Sequence, residues 1–275
     1  MNTYIAQVSP IAFRLFGLEI HWYAIIIVTG IILAVRLSSK EAVRVGLKED
    51  DVIDLMFWAL PLSILGARLY YVLFEWEYFS QYPSQIFAIR NGGLAIYGGL
   101  IVGGIVTYVF TYYRLIPFWK FLDIAAPSVM IAQAIGRWGN FMNHEAFGPE
   151  TTRHFLESLQ LPSFIIDNMY IEGAYRHPTF LYESVWNLIG FALLLWLRNK
   201  PKWLKEGEVA LLYVMWYSFG RFFIEGMRTD SLWLFGVVRV SQLLSLLLFI
   251  GAGIFWWYRR KYVAPPYYDR KQGNV

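Results

Sequence analysis

Seven apolar stretches dominate this sequence of 275 residues, and each is long enough to cross a lipid bilayer. A membrane-spanning helix needs about 20 consecutive apolar residues, because each residue adds about 1.5 Å along the helix axis. Charged residues make up only 16% of the chain and hydrophobic residues 57%, a balance that argues against a soluble domain. We therefore predict an all-α polytopic membrane protein, with one integral membrane domain over residues 1–275. The predicted spans are residues 20–37, 52–74, 94–113, 121–139, 178–197, 207–227 and 236–258.

The lysines predict how these spans are oriented. All eight lie in the connections that follow the first, third, fifth and seventh spans. Basic residues accumulate in cytoplasmic loops, so we expect the N-terminus outside and the C-terminus inside. The longest connection, residues 140–177, then lies outside, and Pro162 and Gly173 supply turn signals in it. We predict a small extracytoplasmic cap for this segment.

Four arginines stand at the outer ends of predicted spans: Arg68, Arg137, Arg221 and Arg239. An arginine inside a bilayer costs a few kcal/mol or more, so each needs an anionic partner. That partner is either an internal carboxylate or a bound anion, and guanidinium groups match phosphate in a bidentate way. The acids at similar depth are Glu145, Glu183, Glu225 and Asp230. Because four arginines share one depth, we favour a site for a lipid phosphate.

Helical spacing gathers further polar residues around these arginines. In the sixth span, Tyr217, Arg221, Glu225 and Arg228 follow one another at i, i+4, i+8 and i+11 and form one polar stripe. The fourth span ends in a second group, which consists of Gly136, Arg137, Gly139, Asn140, Asn143 and Glu145. Tyr23 and Tyr97 lie at the same outer depth in the first and third spans. These residues could contact a ligand held by the arginines, or they could simply join helices.

Other kinds of site are poorly matched. His144-Glu145 begins like the zinc motif H-E-x-x-H, but Gly148 replaces the second histidine. The glycine-rich segment 91–99 enters a hydrophobic span, so a nucleotide loop is a poor fit, and Gly99 and Gly103 are better suited to packing two helices. The chain has no cysteine and hence no thiolate nucleophile of its own. We predict no metal, no organic cofactor and no nucleic-acid partner.

The segment Gly136–Gly148 closely resembles the signature G-R-x-G-N-F-x-N-x-E-x-x-G of the prolipoprotein diacylglyceryl transferase family. Supporting matches extend along almost the whole chain, at His21–Tyr23, Gly66–Leu69, Arg176–Glu183 and Tyr217–Glu225. Seven spans, an external N-terminus and an extracytoplasmic cap are also similar to that family.

This resemblance implies a reaction. The family transfers the sn-1,2-diacylglyceryl group of phosphatidylglycerol to the lipobox cysteine thiol of a preprolipoprotein, which forms a thioether and releases glycerol phosphate. This is the first step of bacterial lipoprotein maturation. It implies a multi-pass protein of the plasma (inner) membrane, with the active site toward the extracytoplasmic half, and we expect a monomer.

The resemblance also assigns roles. It implies catalytic roles for Arg137, Arg221, Tyr97, Glu145 and Glu225, with the two arginines stabilising the phosphate leaving group. It implies that the substrates are bound by Tyr23, Arg68, Gly98, Gly99, Asn140, Asn143, Gly148, His177 and Tyr217. To these we add Arg228 from the polar stripe of the sixth span and Arg239 from its depth.

One departure from the family leaves the base open. Many members have histidine in an H-G-G segment, where this chain has Tyr97-Gly98-Gly99. A phenol with a pKa of about 10 is a poor general base near neutrality. Either Tyr97 only positions lipid, or the thiol proton goes to another group, with Glu145, Glu225 and His177 as candidates. A further alternative is that the arginines favour the thiolate without a dedicated base.

Two other classes of protein would explain the sequence less well. A transporter or flippase for an anionic lipid would need polar groups on the cytoplasmic side as well, but the inner halves of the spans are largely apolar. A non-catalytic scaffold would not need the arginines.

Overall fold

The computed structural model describes residues 8–89, 92–229, 231–234 and 237–268. The helices over these residues are, in chain order, α1 (Trp22–Arg44), α2 (Glu49–Phe74), α3 (Trp76–Gln81), α4 (Ile96–Tyr113), α5 (Phe118–Met142), α6 (Arg153–Ser158), α7 (Ser163–Asn168), α8 (Thr179–Arg198), α9 (Glu208–Met227) and α10 (Val240–Tyr258). Six helices in the described ranges are long and apolar enough to cross a membrane, namely α1, α2, α4, α5, α8 and α10 with the π-helical turn that follows it. They confirm a polytopic membrane protein.

The sixth predicted span, residues 207–227, corresponds to α9. This helix has 20 residues, enough to cross a bilayer, but it is not among the six helices that are apolar enough to do so. The charged side chains of Arg221 and Glu225 near its end lower its hydropathy. Its position as a membrane span therefore stays a prediction.

Two helices have bounds that differ from those of the corresponding predicted spans. Helix α1 continues to Arg44, well past residue 37, because the polar residues after the apolar stretch remain helical. Helix α10 begins at Val240 instead of residue 236, because Val238–Arg239 pairs with Trp233–Leu234 in a short hairpin. Gly236 itself, like Asp230, lies outside the described residues.

The prediction of an all-α chain missed several short strands. A first hairpin joins β1 (Ile11–Leu15) to β2 (Leu18–His21). Phe16 and Gly17 at its tip both have positive φ, as a two-residue turn of type I′ requires. The remaining strands are β3 (Glu150–Thr151), β4 (Tyr170–Ile171), β5 (Ala174–Arg176), β6 (Trp233–Leu234) and β7 (Val238–Arg239). Strands this short do not produce the long alternating pattern that identifies a strand in a sequence.

The chain divides into two compact units, and the first comprises the described parts of Met1–Arg36 and Ala125–Arg270. In this unit α9 packs against α8 and α10. The segment between α5 and α8, which we call the cap, contains α6, α7 and a three-stranded sheet in the order β3-β5-β4. Its extracytoplasmic position stays a prediction. The cap has its own apolar core, built from Phe141, Leu156, Ile165, Ile166, Met169, Ile171 and Phe180. Since Phe141 and Phe180 belong to α5 and α8, this core attaches the cap to the ends of both helices.

The second unit comprises the described part of Leu37–Ile124, and its main contact joins α2 to α4. Glycines allow the two helices to approach closely. A Cβ atom on Gly98 would lie 2.4 Å from the carbonyl oxygen of Gly66, and one on Gly103 would lie 2.8 Å from the Ser63 hydroxyl oxygen. Gly99 also lies against Ser63. The prediction that Gly99 and Gly103 pack two helices is therefore confirmed.

Gly98→Ala should destabilise the protein, because the added methyl group meets the backbone of α2. Overpacking of this kind costs about 1–3 kcal/mol, and thermal unfolding in detergent should show a lower midpoint. Gly104→Ala on the same helix is the matched control, since nothing lies within 4 Å of a Cβ there. Equal midpoints for the two variants would contradict the close packing of α2 and α4.

Candidate active site

The signature segment occupies the end of α5 and the turn that follows it. Arg137 and Asn140 lie one turn apart, and Arg137 Nη1 donates to Asn140 Oδ1 over 3.2 Å. The helix ends at Met142, and His144 and Ala146 then adopt positive φ values of 52° and 58°. Such conformations are uncommon for residues other than glycine, and they reverse the chain within a few residues. The turn brings Glu145 back towards the helix end.

Glu145 binds the two asparagines of the segment. Its Oε1 accepts hydrogen bonds from Asn140 Nδ2 at 2.8 Å and from Asn143 Nδ2 at 3.4 Å. Glu145 is exposed, while both asparagines are half-buried. The carboxylate therefore orients both amides and remains accessible to a ligand.

Glu183 on α8 is the centre of the charged residues in this unit. Its Oε1 lies 2.7 Å from Arg137 Nη2, and its Oε2 lies 3.0 Å from Arg221 Nη1. Arg221 Nη2 also donates to Glu225, one turn further along α9. We call these four residues the ionic network. Three helices, α5, α8 and α9, supply it.

The two glutamates of the ionic network are almost fully buried. Glu183 is 3% exposed and Glu225 is 2% exposed, whereas the side chains of Arg137 and Arg221 retain 20% and 14% of their surface. A buried carboxylate must be paired, because removing a charge from water costs several kcal/mol. The network thus has buried acids and partly accessible arginines, so its accessible side is the basic one.

Two tyrosines flank the ionic network. The Tyr217 hydroxyl lies beside the Arg137 guanidinium, and its ring stacks on that of Tyr213. Tyr23 on α1 packs against the end of α5, where a Cβ atom on Gly139 would lie 2.7 Å from its ring. Both of these predicted substrate-binding residues therefore lie at the same end of α5.

Two more predicted arginines border the network. Arg239, which precedes α10, donates through Nη1 to the backbone carbonyl oxygen of Glu225 and lies 4.9 Å from the ring centroid of Trp233. Arg228, at the end of α9, lies near enough to Arg137 to repel it electrostatically. Arg228 and Arg239 thus place two further guanidiniums beside the ionic network.

His177 and Gly148 lie where the cap joins α8. Gly148 N donates to the His177 carbonyl oxygen at 3.0 Å, and a Cβ atom on Gly148 would lie 2.7 Å from the Cβ of His177. The imidazole Nδ1 is 3.1 Å from the Tyr182 hydroxyl, and the ring packs against Phe155. Burial lowers the pKa of His177 below its usual range, so the ring is neutral near pH 7.

The other predicted residues, Arg68, Tyr97, Gly98 and Gly99, belong to the second unit. Arg68 is 7% exposed and donates to the carbonyl oxygens of Gln85, Ile86, Gly92 and Gly93 at 2.6–2.9 Å. These bonds occupy four of its five N–H groups, so Arg68 stabilises the connection between α3 and α4. Tyr97 is half-buried in the first turn of α4. Substrate contacts for these four residues stay predictions.

The structure favours internal carboxylates as the partners of Arg137 and Arg221. Glu183 entered the sequence analysis only as one possible ion-pair partner and was not among the predicted site residues. The signal that could have identified it was present, because Glu183 is the only acidic residue in an otherwise apolar α8. The phosphate-site hypothesis stays a prediction, and it must now account for these ion pairs.

Comparison with known proteins identifies the family. A family model described as prolipoprotein diacylglyceryl transferase matches residues 10–258. The chain is 65% identical over 268 residues to a protein of Enterococcus faecalis named phosphatidylglycerol–prolipoprotein diacylglyceryl transferase, with 98% of this chain and 96% of that protein covered. Proteins of the same name are 55% identical in Lactiplantibacillus plantarum, with 94% and 92% covered, and 53% identical in Pediococcus pentosaceus, with 100% and 98% covered.

The chain belongs to the prolipoprotein diacylglyceryl transferase family. The match includes the whole signature segment and all three helices that supply the ionic network.

Glu183→Gln should destabilise the protein strongly, because it leaves two partly buried guanidiniums without their shared counter-charge. Breaking a buried pair costs about 3–5 kcal/mol, and unfolding in detergent would measure the loss. Glu157→Gln is the matched control, since Glu157 pairs with Arg153 on the exposed surface of the cap and should contribute little. If Glu183→Gln unfolded like the wild type, the ionic network would not be holding the three helices together.

Proposed function

We propose that this protein transfers the diacylglyceryl group of phosphatidylglycerol to the lipobox cysteine thiol of a preprolipoprotein. The names of its close relatives state both substrates, and the family model carries the same activity. One structural observation indicates which residues bind the lipid phosphate. Two guanidiniums from different helices converge on a single buried carboxylate, and the accessible side of the pair is basic.

The geometry at Glu183 shows how an anionic lipid could bind. A carboxylate and a phosphodiester both present two oxygens that guanidinium N–H groups can bind. Arg137 and Arg221 each bind one of the two oxygens of the Glu183 carboxylate. The two guanidiniums are therefore already held close together, so they are preorganised for a phosphate on their accessible side. Preorganised donors stabilise a charge without reorganisation at the moment of reaction.

The reaction needs this charge stabilisation at the leaving group. The thiol sulfur forms a bond to the carbon of the diacylglycerol unit that carries the phosphate, and the bond from that carbon to the phosphate oxygen breaks. Glycerol phosphate leaves with the electron pair of the broken bond, and the thiol proton goes to a base or to solvent. Arg137 and Arg221 stabilise the charge that develops on the departing oxygen. The amides of Asn140 and Asn143 orient the headgroup.

The acceptor of the thiol proton is the remaining question. Glu225 is paired with Arg221 through one oxygen and is buried, which makes it a poor base. Glu145 is exposed, and among the described residues its carboxylate is bound by two neutral amides only. His177 is neutral near pH 7. We favour Glu145 of these three, because it belongs to the signature turn and is accessible. Tyr97 is then a residue that positions lipid.

The membrane arrangement is part of the proposal. We infer that α9 is a seventh span, with the N-terminus outside and the C-terminus inside. A helix that spans a bilayer can carry an arginine–glutamate pair when the pair faces other helices, as Arg221 and Glu225 do. This arrangement puts the lysines on the cytoplasmic side of the plasma membrane, and it puts the cap and the ionic network toward the outer side.

Arg137→Gln and Arg221→Gln should each lower transfer by at least about a hundredfold, because each removes charge stabilisation from the leaving group. Mass spectrometry would follow the diacylglyceryl mass gain of a peptide with one lipobox cysteine, mixed with phosphatidylglycerol vesicles. A peptide with serine in place of cysteine should gain nothing.

The control for this assay is Arg153→Gln in the cap, whose guanidinium pairs with Glu157 and Asp167 on the surface and should be dispensable. Full activity of both network variants would contradict the phosphate site. No transfer by folded wild-type protein that still binds the lipid would point to transport instead.

Tyr97→Phe tests the departure from the family pattern. If Tyr97 positions lipid through its ring, the variant should retain transfer within about a factor of ten of wild type across pH 6–9, since general base catalysis contributes 10²–10⁴-fold. Tyr108→Phe on the lipid-exposed part of α4 is the matched control. A larger loss confined to Tyr97→Phe would mean that its hydroxyl takes part in proton transfer.

A further inference from the structure

Two tryptophans join α8 to α9 in a reciprocal contact. The rings of Trp186 and Trp216 stack with their centroids 4.3 Å apart and an interplanar angle of 14°. The indole N–H of Trp186 donates to the carbonyl oxygen of Trp216, and the indole N–H of Trp216 donates to that of Trp186, both over 3.0 Å. Each ring is therefore fixed by stacking and by one directed hydrogen bond to the opposite helix.

Two glycines make room for these rings. A Cβ atom on Gly220 would lie 2.2 Å from Trp186 Nε1, and one on Gly190 would lie 2.3 Å from Trp216 Nε1. Each helix thus contributes a tryptophan and a glycine four residues later, and each tryptophan lies on the glycine of the other helix. We call Trp186, Gly190, Trp216 and Gly220 the tryptophan clasp.

The tryptophan clasp suits association of helices inside a bilayer. Lipid tails are as apolar as leucine side chains, so apolar packing alone selects no particular arrangement of two helices. Small residues and hydrogen bonds between helices do select one. Two equivalent contacts at successive turns fix both the separation of α8 and α9 and their register along the axis. Slippage by one residue, about 1.5 Å, would break both hydrogen bonds.

The clasp adjoins the ionic network on both helices. Gly220 directly precedes Arg221 on α9, and Trp186 follows Glu183 by one turn on α8. The ion pair between Arg221 and Glu183 therefore spans the two helices right beside the place where the clasp sets their separation. Any change in that separation shifts the Arg221 guanidinium relative to Glu183.

We propose that the tryptophan clasp positions Arg221 for the phosphate of the donor lipid. This inference rests on the proposed function and extends it to four residues that act through Arg221. They are positioning residues, and their effect is specific to the lipid substrate. The acceptor peptide does not depend on this register.

Gly220→Ala and Trp216→Phe test the clasp. The first drives a methyl group into Trp186, and the second keeps an aromatic ring but removes one interhelical hydrogen bond. Initial rates of transfer would be measured with phosphatidylglycerol and acceptor peptide varied separately. Gly251→Ala, where nothing lies within 4 Å of a Cβ, and Trp196→Phe, on the exposed side of α8, are the matched controls.

We expect kcat/KM for phosphatidylglycerol to fall about tenfold to a hundredfold in both clasp variants, as displacements of about 1 Å produce in other sites. The KM for the peptide should stay close to the wild-type value, and both controls should behave as wild type. If the variants yield less folded protein but kcat/KM for the lipid, measured per amount of folded protein, is unchanged, the clasp is merely structural and the proposal is wrong. If neither wild type nor controls transfer, the proposed function has failed and the clasp proposal falls with it.

The double variant Trp186→Leu/Gly220→Ala supplies a second measurement. A shorter side chain at position 186 leaves room for the methyl group at position 220. Gly220→Ala should therefore reduce kcat/KM for the lipid far less in the Trp186→Leu background than in the wild type, as expected of residues in direct contact. Effects that simply multiply would overturn the clasp as a single positioning unit.

Discussion

The buried carboxylate of Glu183 is the constraint on which the rest of this structure depends. A charge inside apolar helices is tolerated only beside opposite charges, and those charges come from Arg137 on α5 and Arg221 on α9. The three helix ends must therefore meet in one arrangement. Neighbouring contacts agree with it, since Ser184 donates to the carbonyl oxygen of Ala134 and accepts from the indole of Trp138. The charges specify which helix faces meet, a choice that apolar packing leaves open.

The same pairing explains how a stable network can serve a reaction on an anionic lipid. Arginines without a partner would be costly in the bilayer, and arginines satisfied on all sides could bind nothing. Glu183 and Glu225 approach from the buried side and leave part of each guanidinium accessible. Arg228 and Arg239 lie beside the network. The ion pairs lower the cost of the buried charges, and the accessible parts of Arg137 and Arg221 are the groups that we propose for the phosphate.

The long helices could be predicted from the sequence because each has one dominant signal, an apolar stretch with charged ends. The arginines were found for the opposite reason, since a charge in such a stretch stands out. Glu183 was undervalued because spacing along one helix cannot show which residues of three helices meet. The hairpins around Phe16 and before α10 were missed because their strands are too short to show an alternation of apolar and polar residues in the sequence. The tryptophan clasp could not be predicted from the sequence, since tryptophans in an apolar helix resemble residues that anchor a span at the membrane–water interface.

The two units solve the same problem of helix association by different means. In the second unit, Gly98 on α4 meets the backbone at Gly66 on α2, and close approach gains dispersion contacts over a wide surface. In the first unit, the helices carry charges whose separation matters to within about an ångström. Close packing between smooth faces resists separation but permits sliding, whereas paired indole hydrogen bonds resist both. The ion pair between Arg221 and Glu183 lies beside this directed contact, which joins the same two helices, α8 and α9.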